Sequence, residues 1–277
     1  DRYLPDNRYY FSFHIPESFS VLVIGEDAAA RFISMALSPD PELNQYWSVK
    51  EATPEDMAQV NVWEYDVIVL AGAPALAPAY VERLKLYVQQ GRSVFVTYGS
   101  QTTVDHFNQN FAELSGVTYT DGIDPNPSRA GYYTLEAADL RHPIFSVFNF
   151  KDQKPPAIKF YTLPKLTLTG QAQAIASFSG GRPALVENPY GRGTVLTFTG
   201  PLLPQYTELV SSALFVPLVS RTVEYLAADL SSYEVELYCS DNITRSLASG
   251  RDASGVLELS TPDGTVYDLA AQEDQGT

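Results

Sequence analysis

A serine and a histidine follow one predicted strand closely enough to belong to one site. Ser100 ends the run Tyr98-Gly99-Ser100, and Asp105 and His106 lie in the helix predicted next. A serine hydroxyl becomes a nucleophile when a histidine accepts its proton, so a hydrolase using Ser100 and His106 is one alternative. His106 would have to turn back from that helix to reach the serine. We therefore expect Ser100 to cap the helix or to lie in the turn before it.

Glycines follow several predicted strands at the points where the chain must turn. Gly25, Gly72 and Gly200 each come at the end of an apolar run. The carboxyl ends of parallel strands meet at one edge of a sheet, and α/β proteins of this kind bind their ligands there. A small polar ligand could therefore bind at this edge, which is a second alternative. The candidate binding residues are Gly25, Gly72, Tyr98, Gly99, Ser100 and Gly200.

Two acidic turns have the wrong composition for a cofactor or a metal. Gly25 is followed by Glu26 and Asp27, which would repel a pyrophosphate, and the further glycines of a dinucleotide site are missing. Residues 121–127 contain acids and turn formers, but they lack the distal glutamate of a calcium loop and include two prolines. We interpret that run as a turn. The sequence predicts no cofactor and no metal.

A strand–helix–strand unit between Glu64 and Gln101 must position these residues. Residues 66–71 and 93–98 are short, β-branched and apolar without alternation, which is typical of strands buried on both faces of a parallel sheet. Between them, apolar residues recur at helical spacing until Gly91 ends the helix. Similar runs elsewhere extend the pattern to a doubly wound α/β fold with helices on both faces. The strands predicted as parallel neighbours contain Val21, Val67, Val94 and Leu196.

The hydrophobic pattern divides the chain into three predicted parts. Residues 1–18 contain an alternating strand, which is either the tail of a preceding β domain or an edge of the main sheet. Residues 19–229 form the α/β domain, with a β-rich insertion at about 116–165 and a long helix at Leu209–Leu226. Residues 230–277 resemble the start of a β-sandwich. We expect the part from Tyr233 onward to be dispensable for the main core.

Composition limits the partners and the compartment. A net charge of -15 and a pI near 4.5 argue against nucleic acid, because a basic stripe is needed to replace counterions on phosphates. Cys239 is the single cysteine, so no internal disulfide can form. The sequence has no apolar run of about 20 residues and no signal peptide. We expect an excised soluble piece of a longer protein, with any membrane anchor outside it.

Several stretches together carry a resemblance to a known family. They are Asp6–Phe11 leading to Ser20–Gly25, the strand at Asp66–Ala71, and Gly191–Leu196 with Phe215–Leu218 behind it. With these stretches, the region from about 20 to 228 resembles the class I glutamine amidotransferase-like fold, and more narrowly the soluble domain of BatA-type bacterial membrane proteins. The resemblance implies a flavodoxin-like doubly wound sheet in a periplasmic domain. It also implies transmembrane tethers outside this chain and other envelope proteins as partners.

The catalytic residues of that family are missing. Amidotransferases have a cysteine at the strand-to-helix turn and a late histidine that accepts its proton. Here the turn reads Thr97-Tyr98-Gly99-Ser100-Gln101, and the late strand ends in Phe198–Leu203 without a histidine. His142, before Pro143, is expected as a turn residue rather than a base. The resemblance therefore implies a non-catalytic interaction or ligand-sensing domain of a membrane-anchored envelope protein.

Overall fold

Apolar runs without alternation form the central strands of one large sheet. The structure is a computed structural model that describes residues 18–25, 28–40, 46–99, 103–124, 131–150 and 154–228, with two short strands near the C-terminus. The strands are β1 (Phe19–Ile24), β2 (Trp47–Ala52), β3 (Val67–Leu70), β4 (Ser93–Tyr98), β5 (Val117–Asp124), β6 (Tyr133–Ala138), β7 (Lys159–Phe160), β8 (Leu163–Leu168), β9 (Gln173–Phe178), β10 (Arg182–Tyr190), β11 (Gly193–Pro201), β12 (Leu257–Ser260) and β13 (Val266–Leu269). The helices are α1 (Ala28–Leu37), α2 (Pro78–Gln89), α3 (Val104–Ser115) and α4 (Phe215–Ala227), and 3-10 turns span Glu55–Ala58, Val62–Glu64 and Leu209–Ser211.

Nine strands pair in the order β2-β1-β3-β4-β11-β10-β9-β6-β7. The first five are parallel to their neighbours, and the pairings from β11 to β7 are antiparallel. The predicted neighbours are confirmed by the register, which pairs Val21 with Val67 and Val94 with Ile68. The chain is therefore a mixed α/β protein built on a large sheet with parallel central strands.

Successive residues of each central strand point alternately into two hydrophobic cores, one on each face of the sheet. Both faces are therefore buried, and the strands show no alternation of polar and apolar residues. In β1, Val21 and Val23 belong to the core that contains the buried residues of α1 and α4. Leu22 and Ile24 belong to the core that contains those of α2 and α3. The prediction of helices on both faces is confirmed by this division.

The stretch at 116–165 contributes to more than one sheet. β6 and β7 extend the nine-stranded sheet, whereas β5 pairs antiparallel with β8 in a separate two-stranded sheet. The stretch predicted as an insertion thus supplies two strands of the central sheet itself. The run at 121–127 was interpreted as a turn, but its residues 121–124 belong to β5, and residues 125–127 lie outside the described part of the chain.

Two helix starts differ from the sequence prediction. Thr103 caps α3, since its side chain accepts a hydrogen bond from the His106 backbone N–H at 3.2 Å. The cap is therefore not Ser100, which lies outside the described residues. The predicted helix at Leu209–Leu226 is also interrupted: a 3-10 turn ends at Ser211, and α4 begins at Phe215.

The chain separates into two compact units, Asp1–Val235 and Glu236–Thr277. In the second unit the described backbone is the antiparallel pair β12 and β13. The predicted domain limits, including the N-terminal strand within residues 1–18, stay a prediction. Over the described ranges, no helix combines the length and hydrophobicity needed to cross a bilayer.

We expect a chain ending at Val235 to unfold as cooperatively as the full chain. Both hydrophobic cores are built from residues up to α4, so their packing should survive the truncation. Denaturant unfolding followed by tryptophan fluorescence measures this. A chain ending at Leu214, which lacks α4, is the control that should lose the transition. A broad, non-cooperative transition in the Val235 truncation would contradict the prediction.

Candidate functional site

Two close backbone contacts hold the turn after β3 at the carboxyl edge of the sheet. A Cβ placed on Gly99 would lie 2.5 Å from Gly72 Cα, and one placed on Gly25 would lie 2.7 Å from the Ala71 carbonyl oxygen. Side chains do not approach backbone atoms so closely, so glycine is required at both positions. The structure thus brings together Gly25, Gly72 and Gly99, three of the candidate residues.

Hydrogen bonds hold the same turn in one conformation. The Gly72 N–H donates to Thr97 Oγ1 at 2.9 Å in a buried contact, and the Ala71 N–H donates to the Ile24 carbonyl at 2.9 Å. Ala73 then adopts a φ of 44°, in the left-handed region that residues with a Cβ rarely enter. Such strain persists only where the surroundings impose it, and it is common at binding sites.

His106 supports this turn and has no free nitrogen for proton transfer. The Asn110 side-chain amide donates to its Nδ1, at an N–N distance of 3.0 Å. Its proton is therefore on Nε2, which donates to the Pro74 carbonyl oxygen at 3.2 Å. Both ring nitrogens are used to connect α3 to the β3 turn.

Tyr98, the last residue of β4, is held by aromatic packing. Its ring packs on Tyr119, with centroids 4.7 Å apart, and Tyr119 in turn packs edge-on against Phe107. Tyr98 is 4% exposed, and burial raises the pKa of its phenol above the ordinary value of 10. Its hydroxyl is therefore protonated at neutral pH, and the side chain acts as packing.

Gly200 lies near the end of β11, on the strand that pairs with β4. A Cβ placed on it would lie 3.2 Å from Phe178 Cζ and 3.3 Å from Leu163 Cδ2. These two side chains are part of the wall of a cleft of about 130 Å³, which we call the β8–β10 cleft. Its lining residues are Leu163, Pro164, Lys165, Leu166, Phe178, Arg182, Pro183 and Thr199. The convergence of all the candidate residues at one site stays a prediction, with Gly200 on the strand next to Tyr98, since Pro201 of β11 pairs with Tyr98 of β4.

The antiparallel half of the sheet explains why this cleft forms at the carboxyl edge. Because β10 runs antiparallel to β11, its first residue, Arg182, lies at the edge where β11 ends. Thr199, near that end, donates its hydroxyl to the Pro183 carbonyl at 2.7 Å. Lys165 reaches the cleft from β8. The sequence reasoning missed all three residues, and the only signal was a cation directly after the predicted Gly180-Gly181 turn.

A second polar cluster lies between β10, α4 and the segment after β6. Tyr225 donates a 2.5 Å hydrogen bond to Glu187 Oε1, and His142 Nε2 lies 3.5 Å from Glu187 Oε2. The Ile144 N–H donates to His142 Nδ1 at 3.3 Å, so the proton of a neutral His142 is on Nε2, facing the carboxylate. Burial raises the pKa of Glu187, but the nearby His142 ring and the hydrogen bond from Tyr225 outweigh burial and lower the pKa below 4.5.

Comparison with known proteins finds solved structures with a similar fold and no matching family. No family model matches the chain, and no curated protein matches its sequence. Three solved structures are similar to it: the cytoplasmic proteins STM1381 of Salmonella typhimurium LT2 and STM3548 of Salmonella typhimurium, and a putative thua-like protein of Parabacteroides merdae. In that order, identities are 17%, 15% and 14%, and TM-scores are 0.59, 0.58 and 0.56. The aligned regions cover 75%, 75% and 77% of this chain. They cover 99%, 98% and 91% of the three solved chains, respectively.

These similarities correct the resemblance drawn from the sequence. The similar structures are described as cytoplasmic or thua-like proteins, so the assignment to glutamine amidotransferases and BatA-type proteins was wrong. The periplasmic, membrane-anchored placement is overturned with it, because it depended only on that resemblance and both Salmonella proteins are described as cytoplasmic. The assignment failed because short apolar strands and glycine turns recur in many α/β proteins. The partners expected with that location, other envelope proteins, stay a prediction.

We expect Gly99→Ala to lower the free energy of unfolding by about 3 kcal/mol or more, because its methyl group would meet the backbone of Gly72. Gly170→Ala is the matched control: Gly170 has a φ of 65° but open space around it, so strain alone should cost about 1 kcal/mol. Denaturant unfolding of both variants measures the difference. An equal or smaller loss in Gly99→Ala would show that the turn can move away.

We expect Tyr225→Phe to destabilise the protein by about 1 kcal/mol at pH 7, a value kept low because Glu187 is partly exposed. The folded pKa of Glu187 is depressed, so its contribution is complete above pH 4.5 and is lost as the pH falls through the folded pKa. The difference between variant and parent should therefore shrink below about pH 4.

Chemical denaturation at pH 7 and pH 3 measures this difference. Tyr161→Phe is the control, since Tyr161 donates to Glu208 at the exposed surface and its loss should matter little at either pH. A difference that is independent of pH would contradict the role of the Glu187 carboxylate.

Proposed function

We propose that this chain is a non-catalytic binding domain that takes a small polar ligand in the β8–β10 cleft. Numbered along the chain, its parallel strands have the order 2-1-3-4-5, which supports a flavodoxin-like doubly wound arrangement. Proteins of this type bind ligands at the carboxyl edge of the sheet. The cleft lies at this edge, at the end of β11.

The non-catalytic part of the proposal rests on the hydrogen bonds made by the rings of His106 and His142, the two histidines that the structure describes. In His106 and His142 alike, Nδ1 accepts a hydrogen bond and Nε2 carries the proton. A general base needs a free lone pair within reach of the nucleophile's proton, so neither ring is prepared for that role. Tyr98, buried and protonated, offers no nucleophile in their place.

The binding part is supported by the form of the cleft. It has apolar and charged lining residues and a volume of about 130 Å³, below the roughly 300–1,000 Å³ of pockets for drug-sized ligands, which favours a very small ligand. The held β3 turn and the Thr199 hydrogen bond make the surrounding edge rigid. A rigid, preformed cleft loses little entropy on binding.

We expect a library of small polar fragments to yield binders whose NMR shift changes cluster at Leu163–Leu166, Arg182 and Thr199, because these residues line the cleft. Lys165→Trp should weaken those binders by filling the mouth. Lys50→Trp, at an exposed position on the edge strand β2, is the control. Binders that shift other residues only, or none at all, would refute the proposed site.

Enzyme assays test the other half of the proposal. The purified chain is expected to turn over neither glutamine nor p-nitrophenyl acetate. Turnover that disappears in folded Ser100→Ala or His106→Ala variants would replace the binding domain with the hydrolase alternative.

A further inference from the structure

Titratable groups from three elements surround the ring of His142. The carboxylate of Glu187, on β10, lies 3.5 Å from Nε2, and the ring of Tyr225, on α4, packs edge-on against the imidazole with centroids 4.8 Å apart. From the segment after β6 itself, Asp139 interacts electrostatically with the ring and pairs with Arg141. Only 11% of the His142 side chain is exposed, so a change in its charge acts on packed neighbours.

The segment that contains this histidine covers part of a hydrophobic core. Ile144 and Phe145 are 0% and 2% exposed and belong to the core that contains the buried residues of α1 and α4. On the outer side, Arg221 of α4 pairs with Glu224 and donates to the Pro143 carbonyl oxygen at 3.3 Å. The turn is therefore held by the core on one side and by α4 on the other.

A protonated ring loses the hydrogen bond that Nδ1 now accepts. In the neutral ring, Nδ1 receives the Ile144 backbone N–H at 3.3 Å. A protonated imidazole carries a proton on both nitrogens, so two donors then face each other. The backbone N–H cannot become an acceptor, and turning the ring over places a C–H against it. Protonation of His142 therefore breaks this hydrogen bond.

The opposite side of the ring gains from the same proton. Nε2 has no hydrogen-bond partner among the described residues, although the Glu187 carboxylate lies beside it. The pKa of Glu187 is below 4.5, so this carboxylate is charged over the range of about pH 5 to 8 in which histidines change charge. A protonated ring then forms an ion pair with it.

We propose that His142 is a pH-sensitive switch: on protonation it pairs with Glu187 and releases the Ile144 N–H, which weakens the packing of residues 142–148 on the core. The switch has two states because one proton makes a contact at Nε2 and breaks one at Nδ1. It is independent of the β8–β10 cleft and of the proposed binding function.

His106 provides an internal comparison. Its Nδ1 accepts from the side-chain amide of Asn110. A side-chain amide can rotate and offer its oxygen to a protonated ring, whereas a backbone N–H has no such alternative. Protonation of His106 therefore requires no change of the backbone.

The test follows the full chain by NMR from about pH 8 to about pH 5. We expect the amide proton and nitrogen shifts of Ile144 to change with the same midpoint as the ring signals of His142. Hydrogen-exchange protection of the Ile144–Phe148 amides, corrected for the intrinsic effect of pH, should fall by roughly three- to tenfold, the loss of one hydrogen bond.

Two matched variants assign the response. His142→Asn removes the titrating group but keeps an acceptor, because an asparagine oxygen accepts the N–H two residues further on. The pH response of Ile144 should therefore disappear in this variant. His106→Asn makes the same substitution at the other described histidine and should leave that response unchanged. If His142→Asn does not fold, the titration of the parent protein still decides.

Three results would overturn the switch. The first is an Ile144 amide that stays constant while the His142 ring titrates. The second is a ring that takes up no proton between about pH 8 and about pH 5. The third is a response of Ile144 that persists in folded His142→Asn, because another group would then cause it.

Discussion

Contact between the backbones of neighbouring strand ends is the constraint on which the carboxyl edge depends. Gly99 packs against Gly72, and Gly25 against Ala71, with no room for a side chain at either glycine. Thr97 and His106 then bind the turn between them from two sides. The edge is therefore closed and rigid near β1, β3 and β4. The open space lies farther along, where β11 ends.

The change from parallel to antiparallel pairing at β11 creates that open space. A parallel neighbour would present its carboxyl end and a following helix, whereas β10 presents its first residue and a hairpin turn. Arg182 thus reaches the carboxyl edge of the parallel strands, stacked on Tyr133, and the β5–β8 pair adds Lys165. Two cations from distant parts of the sequence meet beside Thr199.

The packing of the fold also determines the partners of the two described histidine rings. His106 and His142 each face a fixed acceptor through Nε2 and receive a backbone or amide donor at Nδ1. Both rings therefore connect segments of the fold, α3 to the β3 turn and the segment after β6 to β10. Rings used in this way stabilise the contacts between these segments.

The sequence by itself determined the central architecture. Strands buried on both faces must be apolar at every position, so the runs around Val21, Val67 and Val94 were recognisable without coordinates. Glycine at the strand ends likewise indicated turns at the carboxyl edge, and Gly25, Gly72 and Gly99 lie there. These features are local, since they depend on residue type and short spacing alone.

Only the tertiary structure decided which polar groups meet. Lys165, Arg182 and Thr199 form one cleft because strand order and direction place them together, and neither quantity is encoded in local spacing. The same holds for the partners of His106. The family resemblance failed for a related reason: apolar strands report the burial of a sheet, and many proteins with different sites bury a sheet in the same way.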